Sequence, residues 1–496
     1  MLTHSQIDVL ERDVCRLLGD VGMSFENEEV RALLVKKGCT ETPEGRTRIP
    51  RELIRELTDY QKRTQAEDAD DQGLMHLCGP GVAWAHFIIY KGQKERARKE
   101  AGERFRMSIF GSGANKIYDS ATGAAESVTT DGYIRMLKLV SATPEFGYIA
   151  PFYRVDGHPR LERLEALVLG LQYAPDEVAG VEPMYPEEIK YIREIGEVMG
   201  VSADNVPYLS GSIAVNRPLV VDSRNLDQLL ERRKRGIRRY RVANMPTFGL
   251  STPATMAAAI VLSAADIIGG MVAVLCVERE AEVTGRTIAN SIDKRNAICT
   301  SCAPEPTLHN IGVKELFDSR FGGHLWTEPF FAVSAKIPGL QAVYENFFGA
   351  DRYARLTGIP TLYPGLGTVG YMGAASPTQA MLDMHIRGSQ AALSDSIVVD
   401  EETLAYSEIS EVLASGTDIF MDREHAAAHF GELWASELFL NEFPSPSWPG
   451  DEKCLLARCD EMWRENVARY APPDVPVHRA KALEDILQRA KRELAS

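Results

Sequence analysis

The side chains able to do chemistry fall into four groups. The first is Cys299 and Cys302, spaced C-x-x-C. Zinc needs three or four ligands within tetrahedral reach. No second C-x-x-C or H-x-H lies nearby, and His309 is the closest imidazole along the chain, so the pair reads as two cysteines without a metal. The second group is His425 and His429, which share a helix face at a spacing of four. The glutamate inside an H-E-x-x-H metal motif is missing, and Glu424 precedes the first histidine instead. The reading is that one histidine faces the barrel mouth and the other is satisfied elsewhere. The third group, Asp400-Glu401-Glu402, follows a β-rich run, where carboxylates serve acid–base chemistry or attract a cation. The fourth is aromatic: Tyr153, Phe248, Trp326, Phe330, Phe331, Tyr363 and Tyr371. Any one ring could simply pack. Several converging rings make a cage for a quaternary ammonium, each face attracting a desolvated cation by about 0.5–2 kcal/mol.

One further stretch, RVANMPTFGLSTPATM at 241–256, reads as a strand ending in Asn-Met-Pro-Thr, a turn at Gly249 and a helix start at Ser251 or Thr252. In α/β proteins a strand's C-terminal end feeding a helix is where chemistry sits. Familiar cofactor and nucleophile signatures are missing. There is no G-x-S-x-G elbow or Walker loop, and the single G-x-G at Gly365 and Gly367 lacks its third glycine.

The elements that must position these groups follow from composition and period. The chain has 496 residues, 45% of them apolar, enough for a large core with appendages. A net charge of -15 argues against a phosphate-backbone partner, so no nucleic acid is expected. The basic segment KGQKERARKEAGERFR accordingly reads as surface helix or loop. Eight scattered cysteines form no disulfide framework, and the charged start MLTHSQIDVLERDV lacks the apolar core of a signal peptide. Residues 256–277 are apolar enough to resemble a membrane span, but Asp266 and the Gly269-Gly270 pair interrupt them. A buried helix is expected there. A reduced, cytoplasmic protein without a membrane partner follows.

Residues 4–70 carry helical spacing, as in Ile7, Leu10, Val14 and Leu18. Beyond about 130, β-rich runs at 146–153, 177–182, 206–215, 240–248, 282–290, 359–366 and 395–400, with an eighth at 418–421, alternate with helical stretches. Those stretches are 160–172, 186–199, 223–236, 253–277, 304–317, 377–393 and 407–415. About eight such alternations over about 300 residues predict a (β/α)8 TIM-type barrel, with a doubly wound open sheet as the rival. The expected organisation is a helical N-terminal extension over 1–130, the barrel over 131–438 and a C-terminal helical segment over 439–496. An aromatic-rich inserted loop at 320–350 breaks the rhythm, as a lid or a dimer contact.

At this point the chain resembles a known group, the trimethylamine:corrinoid methyltransferase family, in its large branch without pyrrolysine. The segments that carry the likeness are ERDVCRLLGDVGMSFENEEVRALLVKKGC, RIPRELIRELT, KIYDSATGAAESVTTDGYIRMLKLVSA, IPTLYPGLGTVGYMGAASPTQAMLDM and FMDREHAAAHFGELW. The strongest is RPLVVDSRNLDQLLERRKRGIRRYRVANMPTFGLSTPATMAAAIVLSAADIIGG. The resemblance implies a TIM barrel and transfer of a methyl group from a methylated amine to the Co(I) of a separate corrinoid protein. In the founding members pyrrolysine precedes the segment that here reads SPTQA, near Tyr371; this chain has Thr368-Val369-Gly370-Tyr371-Met372, all ordinary residues. Relatives without pyrrolysine include enzymes for glycine betaine and related quaternary amines.

That chemistry suits the residue list. A quaternary ammonium leaves as a neutral tertiary amine, so the protein need only hold the cation, aim one methyl and exclude water. The resemblance thus implies a corrinoid (cobalamin) carried by a partner protein, a small methylated amine substrate, no tightly bound metal and a homo-oligomer. Tyr371 and Glu401 are the catalytic candidates. Asn244, Thr247, Phe248, Tyr363, Phe330, Phe331, Trp326 and His425 are the substrate-binding candidates, and the Gly249 turn offers backbone N–H groups to a carboxylate. Rival readings are a barrel enzyme demethylating a methoxy or methylthio compound, and a catalytically silent relative.

Overall fold

The computed structural model describes residues 1–68, 107–110, 113–200, 208–322, 325–327, 332–357, 366–371, 373–392, 397–417, 419–433, 436, 438–439 and 451–495. Alternation sets the central strand. Along Arg239–Asn244, Tyr240, Val242 and Asn244 are buried, while Arg239, Arg241 and Ala243 are half-buried on the opposite face. Tyr240 and Val242 pack with Ile267, Ile268 and Met271 of the helix Met256–Val277, so the first face meets the helix layer. The strand lies between Ile213–Val215 and Glu282–Thr287, both parallel to it, and Leu325–Thr327 extends the sheet beyond Glu282–Thr287. A second parallel pair joins Met107–Ile109 to Phe146–Ile149. Single parallel bridges link Leu366 to Ile109, Ile149 to Val178, and Val181 to Leu209. Each parallel segment therefore neighbours the next one in chain order, with Leu366 beside the first. Among the described residues no pairing joins Leu325–Thr327 to Leu366. The protein is of mixed α/β class.

The helix Met256–Val277 is the one helix among the described residues long and apolar enough to cross a membrane, and its apolar window is 78% buried inside the protein. Its glycine pair permits close approach on two sides. A Cβ at Gly270 would lie 2.5 Å from Val242 Cγ1, and one at Gly269 would lie 2.5 Å from Met23 Sδ. The N-terminal helices His4–Arg16, Glu28–Lys36 and Arg51–Asp68 cover its outer side through Leu10, Val14, Val30, Leu34 and Leu57. The C-terminal helix Asp451–Ala468 contributes Cys459 and Trp463 to a second core with Phe110, Phe152 and Met381. Val477–Leu494 contributes Leu483 and Ile486 to a third with Leu164 and Tyr191.

Several expectations need correction. Residues 1–130 are not purely helical: they contain the strand Met107–Ile109 and the hairpin Lys116–Asp119 with Ala124–Ser127. The stretch 320–350 is not one loop. It holds the strand Leu325–Thr327, paired with Gly285–Thr287, and the start of the helix Leu340–Thr357. Three-residue strands give too short an alternation to stand out in sequence. Conversely, 397–400 and 419–421 contain no strand. Asp400 is instead a helix N-cap, its carboxylate accepting from Thr403 N at 2.8 Å while Thr403 Oγ1 accepts from Asp400 N at 3.0 Å. The carboxylate cluster there is a capping box with an acidic first turn. Residues 395–396 and 418 lie outside the described residues.

Asp266, on the Met256–Val277 helix, accepts from Leu219 N at 2.7 Å and from Asn244 Nδ2 at 3.1 Å. Burial outweighs those bonds and pushes its pKa up to about 7. The folded state thus keeps a proton that the unfolded chain gives up near pH ~4. The stability this proton confers is complete below pH ~4 and lost as pH rises through about 7. Asp266→Asn removes the titration, and its new amide can donate to Asn244 Oδ1, which has no partner among the described residues. Urea midpoints of the variant relative to the native protein should therefore climb from pH ~4 to ~7 and then level off. A difference that is flat across this range would contradict the assignment.

Candidate active site

The strand Arg239–Asn244 runs into a turn whose donors bond within the turn and to its neighbour. Phe248 N donates to Asn290 O at 3.0 Å and Gly249 N to Thr252 O at 2.9 Å, while Leu250, Ser251 and Thr252 N all point at Thr247 O, at 3.1, 3.0 and 3.2 Å. Gly249 closes the turn at φ 75°, where a side chain would be strained. These five amides are engaged, which corrects the expectation that the turn offers them to a carboxylate. Ser251 and Thr252 do not cap the helix either. Ser251 Oγ accepts from Thr247 N at 2.8 Å, and the helix begins later, at Met256, with Thr255 as its N-cap. Asn244 faces the helix layer and gives its amide nitrogen to Asp266 and to Ser263 O at 3.2 Å. Phe248 meets His309 edge-on, with ring centroids 5.6 Å apart. His309 is itself buried against Ser263 Oγ at 3.0 Å and Asn310 Oδ1 at 3.2 Å. Burial pulls its pKa down to about 4, so it is a neutral core imidazole at neutral pH.

The neighbouring strand continues in the same register. Asn290 bridges Thr247 in parallel, and Asn290 N donates to Pro246 O at 2.7 Å. Its side-chain Oδ1 accepts two hydroxyls, Ser301 at 2.8 Å and Tyr371 at 2.7 Å. Ser301 follows the small antiparallel pair Ser291–Ile292 and Cys299–Thr300. Tyr371 comes from the far end of the segment that begins at Leu366. Three chain segments thus meet on one amide oxygen at the C-terminal ends of parallel strands.

Tyr371 is held there in an uncommon conformation. Gly370 and Tyr371 have φ values of 63° and 57°, in the turn between Thr368–Val369 and Ala374–Ala375. A tyrosine in this left-handed region costs roughly 1–2 kcal/mol. Gly370 N to Ala335 O at 2.6 Å and Tyr371 N to Val333 O at 2.7 Å fix the backbone. Burial raises the phenol's pKa, so at neutral pH Tyr371 is a protonated donor. Cys299 and Cys302 are among its electrostatic neighbours. The Cys302 thiol donates to Ala332 O at 3.1 Å and is itself pushed up by burial, which keeps it a thiol. Among the described residues no three His, Cys, Asp or Glu side chains gather as a metal site.

Of the residues expected from sequence, the structure brings Thr247, Phe248 and Tyr371 together around Asn290. Trp326 lies in the strand Leu325–Thr327 at the register of Arg286. Phe330, Phe331 and Tyr363 lie outside the described residues. Glu401 is exposed in the first turn of Glu401–Leu404. His425 stacks near His429, at 4.4 Å between centroids, and its Nε2 lies 3.2 Å from Glu402 O. Among the described residues no hydrogen bond ties this surface group to Tyr371 or Asn290. Asn290 and Ser301 were missed. Asn290 closes the β-rich run 282–290 and Ser301 stands inside the C-x-x-C pair, and neither has a type or spacing that marks it.

The carboxyl ends of parallel strands linked by helices are where α/β proteins place their ligand sites. The match to a known family then gives the class: the trimethylamine methyltransferase (MTTB) family model matches residues 90–495, and the chain belongs to that family. Membership makes it a methyltransferase, moving methyl groups from methylamine-type substrates to a corrinoid protein. No curated protein matches the chain.

The two hydroxyls on Asn290 Oδ1 share one acceptor, which gives a stability test. Tyr371→Phe or Ser301→Ala alone leaves one donor in place and should cost about 0.5–1.5 kcal/mol. Together they strand a buried oxygen, so the pair should cost more than the sum of the singles in urea unfolding. Strictly additive losses would show that the shared acceptor is not a unit.

Proposed function

We propose that the chain transfers a methyl group from a quaternary amine, glycine betaine or a relative, to the Co(I) of a separate corrinoid protein. We further propose that the fold is a (β/α)8 barrel with its mouth around Tyr371. Support for the barrel is the order of parallel neighbours: 366 beside 109, 107–109 beside 146–149, 149 beside 178, 181 beside 209, 213–215 beside 242–244, and onward through 282–287 to 325–327. In an eight-stranded barrel each strand neighbours the next in sequence and the last returns to the first.

The observation that carries the substrate reading is the neutrality of the site. Tyr371, Asn290, Ser301, Thr247 and Phe248 gather at the strand ends, and among the described residues no carboxylic acid is hydrogen-bonded to any of them. A tertiary amine is protonated at neutral pH and needs activation. A quaternary ammonium already carries its charge, and the C–N bond breaks with its electron pair going to nitrogen. No proton donor is required, and Tyr371, which keeps its proton, is not asked to give it up. The partner's corrinoid supplies a strongly nucleophilic cobalt. This chain's part is to hold the cation against aromatic faces, aim one methyl outward and keep water away. Tyr371 is the described ring for this role, with Trp326, Phe330, Phe331 and Tyr363 as further candidates by sequence, while the Phe248 ring packs against His309.

Apolar side chains stand exposed beyond the same strand ends: Met245 at 45%, Leu250 at 71%, Ile298 at 58% and Ile337 at 59%. Such a rim suits a docking protein. Leu340, Tyr344 and Phe348 are exposed along one face of the helix Leu340–Thr357, which fits a homo-oligomer in the cytoplasm.

The test is spectroscopic. The protein is mixed without oxygen with a corrinoid protein held as Co(I) and a panel of methylated amines, and loss of the Co(I) absorbance is followed. Glycine betaine or another quaternary amine should consume the signal, and trimethylamine should not. A signal consumed by trimethylamine alone, or by no quaternary amine, would overturn the proposal.

A further inference from the structure

We propose that residues 397–433 form an arm that packs on the helix Leu340–Thr357 of a second copy of this chain, in a reciprocal exchange between the two copies. The proposal rests on the homo-oligomer reading above and deepens it, and it does not depend on which amine is the substrate.

The arm combines two properties that conflict in an isolated chain. Nine acidic residues stand between 397 and 433 against one arginine, Arg423, and large apolar residues are interspersed among them. The helices Glu401–Leu404, Tyr406–Ser415 and Glu424–His429 form there and close on one another. Arg423 pairs with Glu408 at 3.4 Å and with Glu411 at 2.5 Å, and His429 Nδ1 meets Glu432 Oε1 at 2.9 Å. Among the described residues, every hydrogen bond and ion pair of the arm runs within it. Val412 alone is buried among its described residues, and no arm side chain belongs to the three cores.

What the arm turns outward is apolar. Twelve of its large apolar side chains are exposed, from Ile409 at 42% to Ile397 at 90%. At roughly 150–250 Å² for a fully exposed large side chain, they present upward of about 1,000 Å². The largest apolar patch on an ordinary monomer is roughly 300–600 Å², and a stable dimer buries about 800 Å² per partner. The arm therefore exposes more than a monomer leaves bare and enough for a stable interface. Tyr406, Ile409 and Leu413 share one face of the helix Tyr406–Ser415, at spacings of three and four, and all three are exposed.

Charge and pattern name the receiving surface. Two arms meeting face to face would set carboxylates against carboxylates, so the arm must reach a different part of its partner. On the helix Leu340–Thr357, Leu340, Tyr344 and Phe348 are exposed at a spacing of four and form one stripe. The Tyr344 and Phe348 rings stack with centroids 5.0 Å apart, and the Arg352 guanidinium lies 4.7 Å from the Phe348 centroid. Lys336 is exposed just before the helix, and Arg352 stands half-buried one turn beyond Phe348, so a cation flanks the stripe at each end. Neither has a carboxylate partner among the described residues, and Arg352 donates to Cys302 O at 3.3 Å instead. On the arm, Glu401 and Glu424 likewise have no cationic partner among the described residues. An apolar stripe flanked by cations is what an apolar face set among carboxylates fits. Reciprocal exchange of two unlike surfaces closes a twofold dimer with both pairs satisfied.

Paired substitutions in the full chain test this by sedimentation velocity at micromolar concentration. Tyr406→Glu with Leu413→Glu on the arm, and Leu340→Glu with Tyr344→Glu on the helix, alter exposed side chains and leave the fold in place. Each pair should weaken self-association about 100-fold and yield monomer. Mixed together, the two variants should associate at concentrations where neither does alone, because one keeps an intact helix and the other an intact arm. A native protein that stays monomeric overturns this proposal and the homo-oligomer reading together. An oligomer that survives the arm substitutions, or two monomeric variants that do not associate when mixed, overturns this proposal and leaves the homo-oligomer reading standing.

Discussion

A single amide oxygen, Asn290 Oδ1, accepts hydroxyls from two distant parts of the chain, and the arrangement of the site depends on it. Ser301 lies 11 positions further along the chain and Tyr371 lies 81 positions further, yet both arrive within 2.8 Å. The cost of holding Tyr371 at positive φ is offset by its backbone bond to Val333 and by this shared hydroxyl contact. Beneath the turn, Asp383 accepts from Gly367 N at 2.8 Å, Gln379 Nε2 at 2.6 Å and Asn346 Nδ2 at 3.1 Å. Burial raises that carboxyl to about 7, and its bonds anchor the first residues of the segment that presents Tyr371.

The helix layer supplies the matching anchor on the other strand. Asp266 ties the helix Met256–Val277 to Asn244 at the strand's last residue and to Leu219 before the next helix. Gly270 lets that helix settle onto Val242. Two buried carboxyls, Asp266 and Asp383, therefore act as structural braces on the helix side. The described polar groups hydrogen-bonded to Asn290 are uncharged, and on the strand face turned from the helices Arg239 is paired with Glu282 at 2.9 Å.

Much of this was legible in the sequence. Long periodic segments declared themselves: the helices expected at 223–236, 253–277 and 304–317 appear as Ser223–Lys234, Met256–Val277 and Pro304–Leu316. The interruption by Asp266 and two glycines correctly marked a buried helix. Three-residue strands did not show, because Met107–Ile109 follows a strongly charged run and Leu325–Thr327 sits among aromatics. The carboxylates at 400–402 read as chemistry but are helix capping, since Asp and Glu suit both uses equally. Tyr371 was singled out through its place in the family pattern, whereas Asn290 was not. An asparagine after a strand has no distinguishing type or spacing; only contacts made across 81 positions single it out.

The proposed function comes to rest on one arrangement: a cation held between uncharged groups at the strand ends, beside the tyrosine whose hydroxyl the Asn290 oxygen holds. A crystal structure with glycine betaine bound tests it most directly. The account predicts the ammonium within about 6 Å of the Tyr371 ring centroid. It is contradicted if the ligand lies elsewhere, or if the Tyr371 hydroxyl leaves Asn290 when the ligand binds.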